Sequence, residues 1–264
     1  MLKMKIENVK IIDDTEVELL PLSDLHLGSK ECDEELINKA IDYIKNNDNC
    51  YTILLGDLIE NNVYDNKINA VHTQKYQVQE QVEQIVNLLK PIKDKILLSV
   101  SGNHEYRTEK FTGVDISALI AMNLDIPYQK NEYFFNLKLT SKKNKNTKRS
   151  IALFIHHGTG GSGTSGTKLN SIEKLHFRAP LSNIFFVGHH HINICSRKII
   201  RYLNQKDQIS EFIQYFIGCG SALKTSCHGY AAKGGYAPIP SDFVLVKLKL
   251  NFNDDIKCQT EIFD

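Results

Sequence analysis

The chain has 264 residues, of which 42% are hydrophobic, 24% charged and 9% aromatic, a composition that excludes collagen-like, coiled-coil and wholly disordered classes. Its 32 Lys and Arg against 31 Asp and Glu leave a formal charge of +1, so no strong net field marks it for nucleic acid or membrane. No apolar run approaches the roughly 20 residues that cross a bilayer, and acids stand where a signal peptide places its apolar core, so a cytoplasmic protein without a membrane partner is expected. Six cysteines without C-x-x-C spacing read as reduced structural thiols. The length is that of one compact domain over residues 1–264.

Strand-length apolar runs alternate with segments of helical period, the pattern of an α/β protein. The run 17–22 reads as a strand, and Asp33 caps a helix whose Leu36, Ile37, Ala40, Ile41 and Ile44 share one face. Residues 51–55 form the next strand. A helix over 72–89 carries Val78, Val82, Ile85, Val86 and Leu89 on one stripe and ends before Pro91. Then come a strand at 96–100, a helix at 115–123, an alternating half-exposed strand at 133–139, a basic turn at 141–150 and a strand at 151–155, with the hairpin near a sheet edge. The glycine-rich stretch 158–166 reads as a mobile loop flanking the substrate, and 184–187 as a short buried strand. The runs 193–203, 210–217 and 242–250 read as strands of a second, antiparallel group, and no internal repeat is visible.

Polar blocks follow the apolar runs: SDLHLG, GDLIEN, SGNHE, HHG and GHHH. Ligands of open α/β sheets bind beyond the carboxyl ends of the strands, so these blocks converge on one site. Asp24 and His26 are two apart, as are His189 and His191, and in extended chain each pair points to one side. With Asp57, Asn103 and His157 the set holds more N and O donors than one tetrahedral ion uses, and no soft sulfur. Two divalent ions are the economical reading. Their +4 against two carboxylates leaves about +2 for a phosphoryl group.

In order, Asp24/His26, Gly56/Asp57, Gly102/Asn103/His104/Glu105, His157/Gly158 and Gly188/His189/His191 resemble the D-x-H, G-D, G-N-H-E, H-G and G-H-x-H blocks of the calcineurin-like metallophosphoesterase superfamily. The resemblance spans 24–191, and the stretch after the H-G block also looks like phosphoesterases of bacterial viruses. It implies a four-layer α/β/β/α sandwich with two mixed β-sheets and a dinuclear site at the carboxyl ends of the strands. It implies that Asp24, His26 and His191 hold one metal, that Asn103, His157 and His189 hold another, and that Asp57 bridges them. It further implies that His104, with Asn103, touches substrate, His104 stabilising phosphoryl oxygens or protonating the leaving oxygen while a metal-bound hydroxide attacks. Glu105 would orient His104.

The metals so implied are two Mn²⁺, Zn²⁺ or Fe ions, and the substrate a phosphate ester. The leaning is to a phosphodiesterase acting on nucleotide or nucleic acid, with a phosphomonoesterase as the alternative. A non-catalytic scaffold of the same fold would be expected to have lost ligands, yet every ligand position and His104 is filled. His157 is preferred to its neighbour His156 because it directly precedes Gly158, and His190 points away. His72 and His176 read as surface helical residues, and the basic turn as a solvated hairpin tip. The segment carrying His228, Tyr230, Lys233 and Tyr236 reads as a loop that helps to select substrate.

Overall fold

A computed structural model describes residues 10–11, 16–63, 74–140, 148–161, 163–225, 238–250 and 256–264. His72, most of the basic turn, and the segment with His228, Tyr230, Lys233 and Tyr236 lie outside the described residues. In chain order the elements are β1 (Lys10–Ile11), β2 (Glu16–Leu19), α1 (Glu34–Asn46), β3 (Cys50–Leu54), α2 (Val78–Leu89), β4 (Ile96–Val100), α3 (Asn103–Thr112) and α4 (Ile116–Leu124). There follow β5 (Tyr128–Gln129), β6 (Glu132–Thr140), β7 (Lys148–His156), α5 (Ser165–Glu173), β8 (Ile184–Val187), β9 (Asn193–Leu203), β10 (Ile209–Ser221), β11 (Asp242–Leu250) and β12 (Ile256–Phe263).

The side-chain alternation of the strands sorts the core into layers. In β7 and β8, Leu153, Ile155, Ile184 and Phe186 face inward against Leu19, Ile53 and Leu98, forming the core between the two sheet halves. Their neighbours Phe154, Phe185 and Val187 face outward onto Ile172 of α5. On the other side, the stripe of α1 (Leu36, Ile37, Ala40, Ile41, Ile44) packs with Ile85 and Leu89 of α2 against Leu54 and Ile96. Each buried Leu, Ile or Phe among them contributes about 1.5–3 kcal/mol. The layers are helix, sheet, sheet, helix.

The two expected sheets are halves of one 12-stranded mixed sheet, ordered β1-β6-β7-β8-β10-β11-β2-β3-β4-β5 with β12 and β9 added on β11 and β10. They join through Gly220 and Ser221 of β10, which pair with Phe243 and Asp242 of β11. Gly220 sits at φ +75°, and a Cβ there would strike the Asp242 carbonyl, so the crossing strand needs glycine at that point. The last strands are not purely antiparallel: β10 runs parallel to β8 and antiparallel to β9 and β11.

Several boundaries differ from the sequence reading. The first strand stops at Leu19, since Leu22 pairs only as an isolated bridge to Leu54 on the way into the site. Helix α2 starts at Val78, where its apolar stripe begins. Helix α3 begins at Asn103, inside a polar block to which the sequence reading assigns no helix, and α5 begins at Ser165 in the glycine-rich stretch, capped by Thr164. His176 is half-buried in a 3₁₀ turn rather than on a helix surface, and its Nδ1 meets the buried Gln214 Oε1 at 2.8 Å.

Asp33 shows how firmly the entry to α1 is tied. Its Oδ1 accepts from the Leu36 amide at 3.2 Å and from Lys224 Nζ at 2.9 Å, and its Oδ2 accepts from Ser241 Oγ at 2.9 Å. Burial works to raise this carboxyl, but the bonds from Lys224, Ser241 and Leu36 hold it below its ordinary range. Asp33→Ala should cost about 1–2 kcal/mol at neutral pH. Because the folded-state value is depressed, that contribution is present above the unfolded carboxyl range and is lost as pH falls on through the lower folded-state value, so wild-type and variant melting curves should converge in acid. A gap independent of pH would refute this.

Candidate metal centre

Five strands deliver the site. The chain leaves β2, β3, β4, β7 and β8 at their carboxyl ends and within a few residues reaches Asp24 and His26, Asp57, Asn103, His157, and His189 with His191. The pairs do not use extended chain. Asp24, His26, Asp57, His189 and His191 all have φ between 48° and 65°. The left-handed conformation costs a non-glycine residue roughly 1–2 kcal/mol, and such strain persists where the surroundings impose it, commonly at functional sites.

Two triads result. Ligand atoms of Asp24, His26 and His191 lie within 4.8 Å of one another, as do those of Asp57, His157 and His189. Asp57 Oδ2 stands between them, 4.0 Å from His26 Nε2 and 3.3 Å from His157 Nε2. Asn103 is exposed, with its Oδ1 3.0 Å from His157 Nε2. His156 turns away, stacking on Phe154 and accepting the Gly158 amide, and the buried His190 joins neither triad.

The histidines are held from behind. His26 Nδ1 meets Glu60 Oε2 at 3.1 Å, His157 Nδ1 meets the Leu55 carbonyl at 2.6 Å, and His189 Nε2 meets the Gly160 carbonyl at 2.9 Å. Each acceptor takes the N–H of the outer nitrogen and leaves the other nitrogen's lone pair facing the cluster. The glycine-rich stretch is thus in part a fixed support for His189 rather than a free flap. Glu60 lies three residues beyond Asp57 in GDLIEN, a carboxylate the sequence reading passed over; its position beside the G-D step was the available signal.

The donors fit divalent cations. Asp24 Oδ1 is buried and accepts no hydrogen bond of good geometry from the described residues, although His191 Nε2 lies 3.1 Å away. His26 Nε2 and His191 Nε2 face each other at 3.3 Å. Lone pairs gathered this closely with few protons between them need a shared positive charge. Without metal, protons on His157 and His26, both raised by neighbouring carboxylates against the pull of burial, supply part of it. Burial would raise Asp24, yet His191 and His157 hold it down to about 2; burial would lower His157, yet Asp57 lifts it to about 10.

Glu105 does not orient His104. Its Oε2 accepts from the Asp57 amide at 3.0 Å and the Gly102 amide at 3.1 Å, and its Oε1 from the Leu58 and Ile59 amides at 2.7 and 3.2 Å. Burial pushes this carboxyl up to about 7, but four N–H donors leave no acceptor for its proton and favour the ionised form. Gly102 completes the joint, because a Cβ there would collide with the Asp57 amide and carboxylate.

His104 is half-buried beside the triads. Its amide donates to Asp57 Oδ1 at 2.8 Å, its Nδ1 donates to the Glu60 carbonyl at 2.7 Å, and its Nε2 accepts from Arg107 Nη2 at 2.7 Å. Burial, with His26 and Arg107 adding to it, takes the imidazole down to about 4 against the pull of Asp57.

Fold and donor set together are those of a mixed α/β protein whose clustered Asp and His side chains could hold divalent metal at the carboxyl ends of its strands. The chain matches the family model of the calcineurin-like phosphoesterases over residues 19–216 and belongs to that family, which is metal-dependent. No curated protein sequence matches it. Among solved structures it is similar to a predicted phosphoesterase from Streptococcus pneumoniae TIGR4, at 12% identity and TM-score 0.39, covering 94% of this chain and 90% of that one. It is also similar to Vacuolar Protein Sorting 29 from Cryptosporidium parvum, at 15% identity and TM-score 0.42, covering 95% and 99%. The Haemophilus influenzae NAD nucleotidase matches at 9% identity and TM-score 0.43, covering 94% of this chain and 50% of that one. Among the described residues no helix is long and apolar enough to cross a membrane.

Proposed function

We propose that this chain is a dinuclear metal-dependent phosphodiesterase acting on nucleotide or nucleic acid. The observation that supports it best is the pair of triads meeting at Asp57, with the outer nitrogens of His26, His157 and His189 held by Glu60 and two backbone carbonyls. Asp24, His26 and His191 would hold one ion, Asn103, His157 and His189 the other, and Asp57 both. When bound, the two ions supply Lewis-acid polarisation of the phosphoryl oxygens and activation of a water molecule.

The protein's part is placement. Its carboxylates Asp24 and Asp57 are buried, so the charge they hold is shielded little by solvent. Asn103 and His104 stand on the more exposed side, where they would contact the substrate. The αL backbone at five of these positions pre-sets their side chains before substrate arrives.

Protein stripped of metal and reloaded with Mn²⁺ should hydrolyse bis(p-nitrophenyl) phosphate faster than p-nitrophenyl phosphate, and the stripped protein should hydrolyse neither. Faster monoester cleavage would make the chain a phosphatase. Failure on both by protein shown to hold two ions would overturn the catalytic reading in favour of a scaffold.

A further inference from the structure

One cation near the triads has no part in the ligand set. Arg107 lies on α3, three residues after His104, and its guanidinium is half-buried. Nη1 donates to the Glu60 carbonyl at 3.2 Å and to Asn62 Oδ1 at 2.8 Å, which fixes one tip of the fork. Nη2 donates to His104 Nε2 at 2.7 Å. Guanidinium carries five N–H donors in a rigid plane, so these three bonds leave donors without a partner among the described residues.

The partner of Nη2 is a poor match for a guanidinium. A neutral imidazole nitrogen offers one lone pair, where an anionic oxygen would give a shorter and stronger charge-assisted bond, bidentate in the best geometry. His104 Nε2 is 3.9 Å from Asp57 Oδ2, and the His104 ring is 4.4 Å from the His26 ring, so Arg107 stands one side chain away from both triads. Asn103, His104 and Arg107 are all more exposed than Asp24 and Asp57, which places them on the side from which a substrate enters.

We propose that Arg107 is a phosphate-binding residue of this site: on substrate entry Nη2 exchanges His104 Nε2 for a non-bridging phosphoryl oxygen, while Nη1 keeps its anchors at Glu60 and Asn62. The exchange frees the His104 Nε2 lone pair, which must take up a proton from water before it can donate to the substrate. Until then the bond from Arg107 holds His104 as an acceptor, with its proton on Nδ1 and directed at the Glu60 carbonyl. The proposal rests on the phosphoesterase reading of the site and extends it to how the anion is recognised.

The test is the dissociation constant of inorganic orthophosphate, by calorimetry on Mn²⁺-loaded protein, with metal content and melting temperature measured alongside. Arg107→Ala should weaken orthophosphate roughly 10- to 100-fold with two ions still bound, and Arg107→Lys should recover part of the loss by restoring the charge without the fork. Asn62→Ala, which loosens the anchor but keeps the guanidinium, should cost less than Arg107→Ala. Orthophosphate affinity unchanged in Arg107→Ala, or reduced equally by Asn62→Ala, would overturn the proposal and leave Arg107 a loop clamp. Wild-type protein that holds two ions but neither binds orthophosphate nor cleaves either ester would overturn the phosphoesterase reading itself, and the role of Arg107 with it.

Discussion

Asp57→Asn should lose metal and activity together. Asp57 Oδ2 is the carboxylate oxygen that approaches a histidine of each triad, His26 at 4.0 Å and His157 at 3.3 Å, and it is buried. The amide keeps the shape and removes the charge, so two cations would face each other with Asp24 as the remaining carboxylate among the proposed ligands. Losing a group that merely orients a ligand costs roughly 10- to 100-fold in metal affinity, and a shared anionic ligand should cost more. Metal analysis after gel filtration should show substoichiometric loading, and phosphoester hydrolysis should fall by at least about 10²-fold. His104→Ala is the contrast: both ions retained and rate lost by about 10² to 10⁴ if the imidazole works on the substrate. Full loading and wild-type rate in Asp57→Asn would remove Asp57 from the centre.

Glu105→Ala should be the most destabilising single change at the site, and it should show in metal-free protein. The carboxylate is the acceptor for the amides of Asp57, Leu58, Ile59 and Gly102, all buried. Each buried N–H left without a partner costs about 1–3 kcal/mol, so four put the loss near ~4 kcal/mol at the low end. Set against the roughly 5–15 kcal/mol of a whole domain, that is a large fraction. For a chain of this size the melting temperature should drop by on the order of 10 °C. Glu105→Gln keeps one oxygen and turns an NH₂ group toward the donors, so it should fall between wild type and Ala. A melting curve of metal-free Glu105→Ala that overlays wild type would show that the amides find other partners.

Glu105 also marks where sequence reading reached its limit. The G-N-H-E block is visible as chemistry, and the resemblance it carries implies that Glu105 orients His104. Across the fold its carboxylate instead ties the loop after β3 to the start of α3, and the contact spans 46 to 48 residues of sequence. The same distance effect hid Glu60 and Arg107. Glu60 meets His26 from 34 residues away, and the N–H donors of Arg107 reach 45 and 47 residues back to Asn62 and Glu60. Helix α3 is hard to see because its polar first turn carries no apolar stripe, and β12 because, although it alternates, none of residues 257–263 is buried, so only its pairing with β11 marks it as a strand.

By itself the sequence determined the alternation of strands and helices, the faces that form the core, and which side chains stand at the carboxyl ends of the strands. Those are local properties: period, capping and the residues that follow an apolar run are all written within a few positions of one another. Tertiary packing set the rest: that two expected sheets form one path joined at Gly220, that five of the seven proposed ligand positions adopt left-handed backbone, and that the outer nitrogens of His26, His157 and His189 meet Glu60, Leu55 and Gly160. A histidine's tautomer and an arginine's partner are set by whatever lies across the fold, and that is a matter of packing rather than spacing.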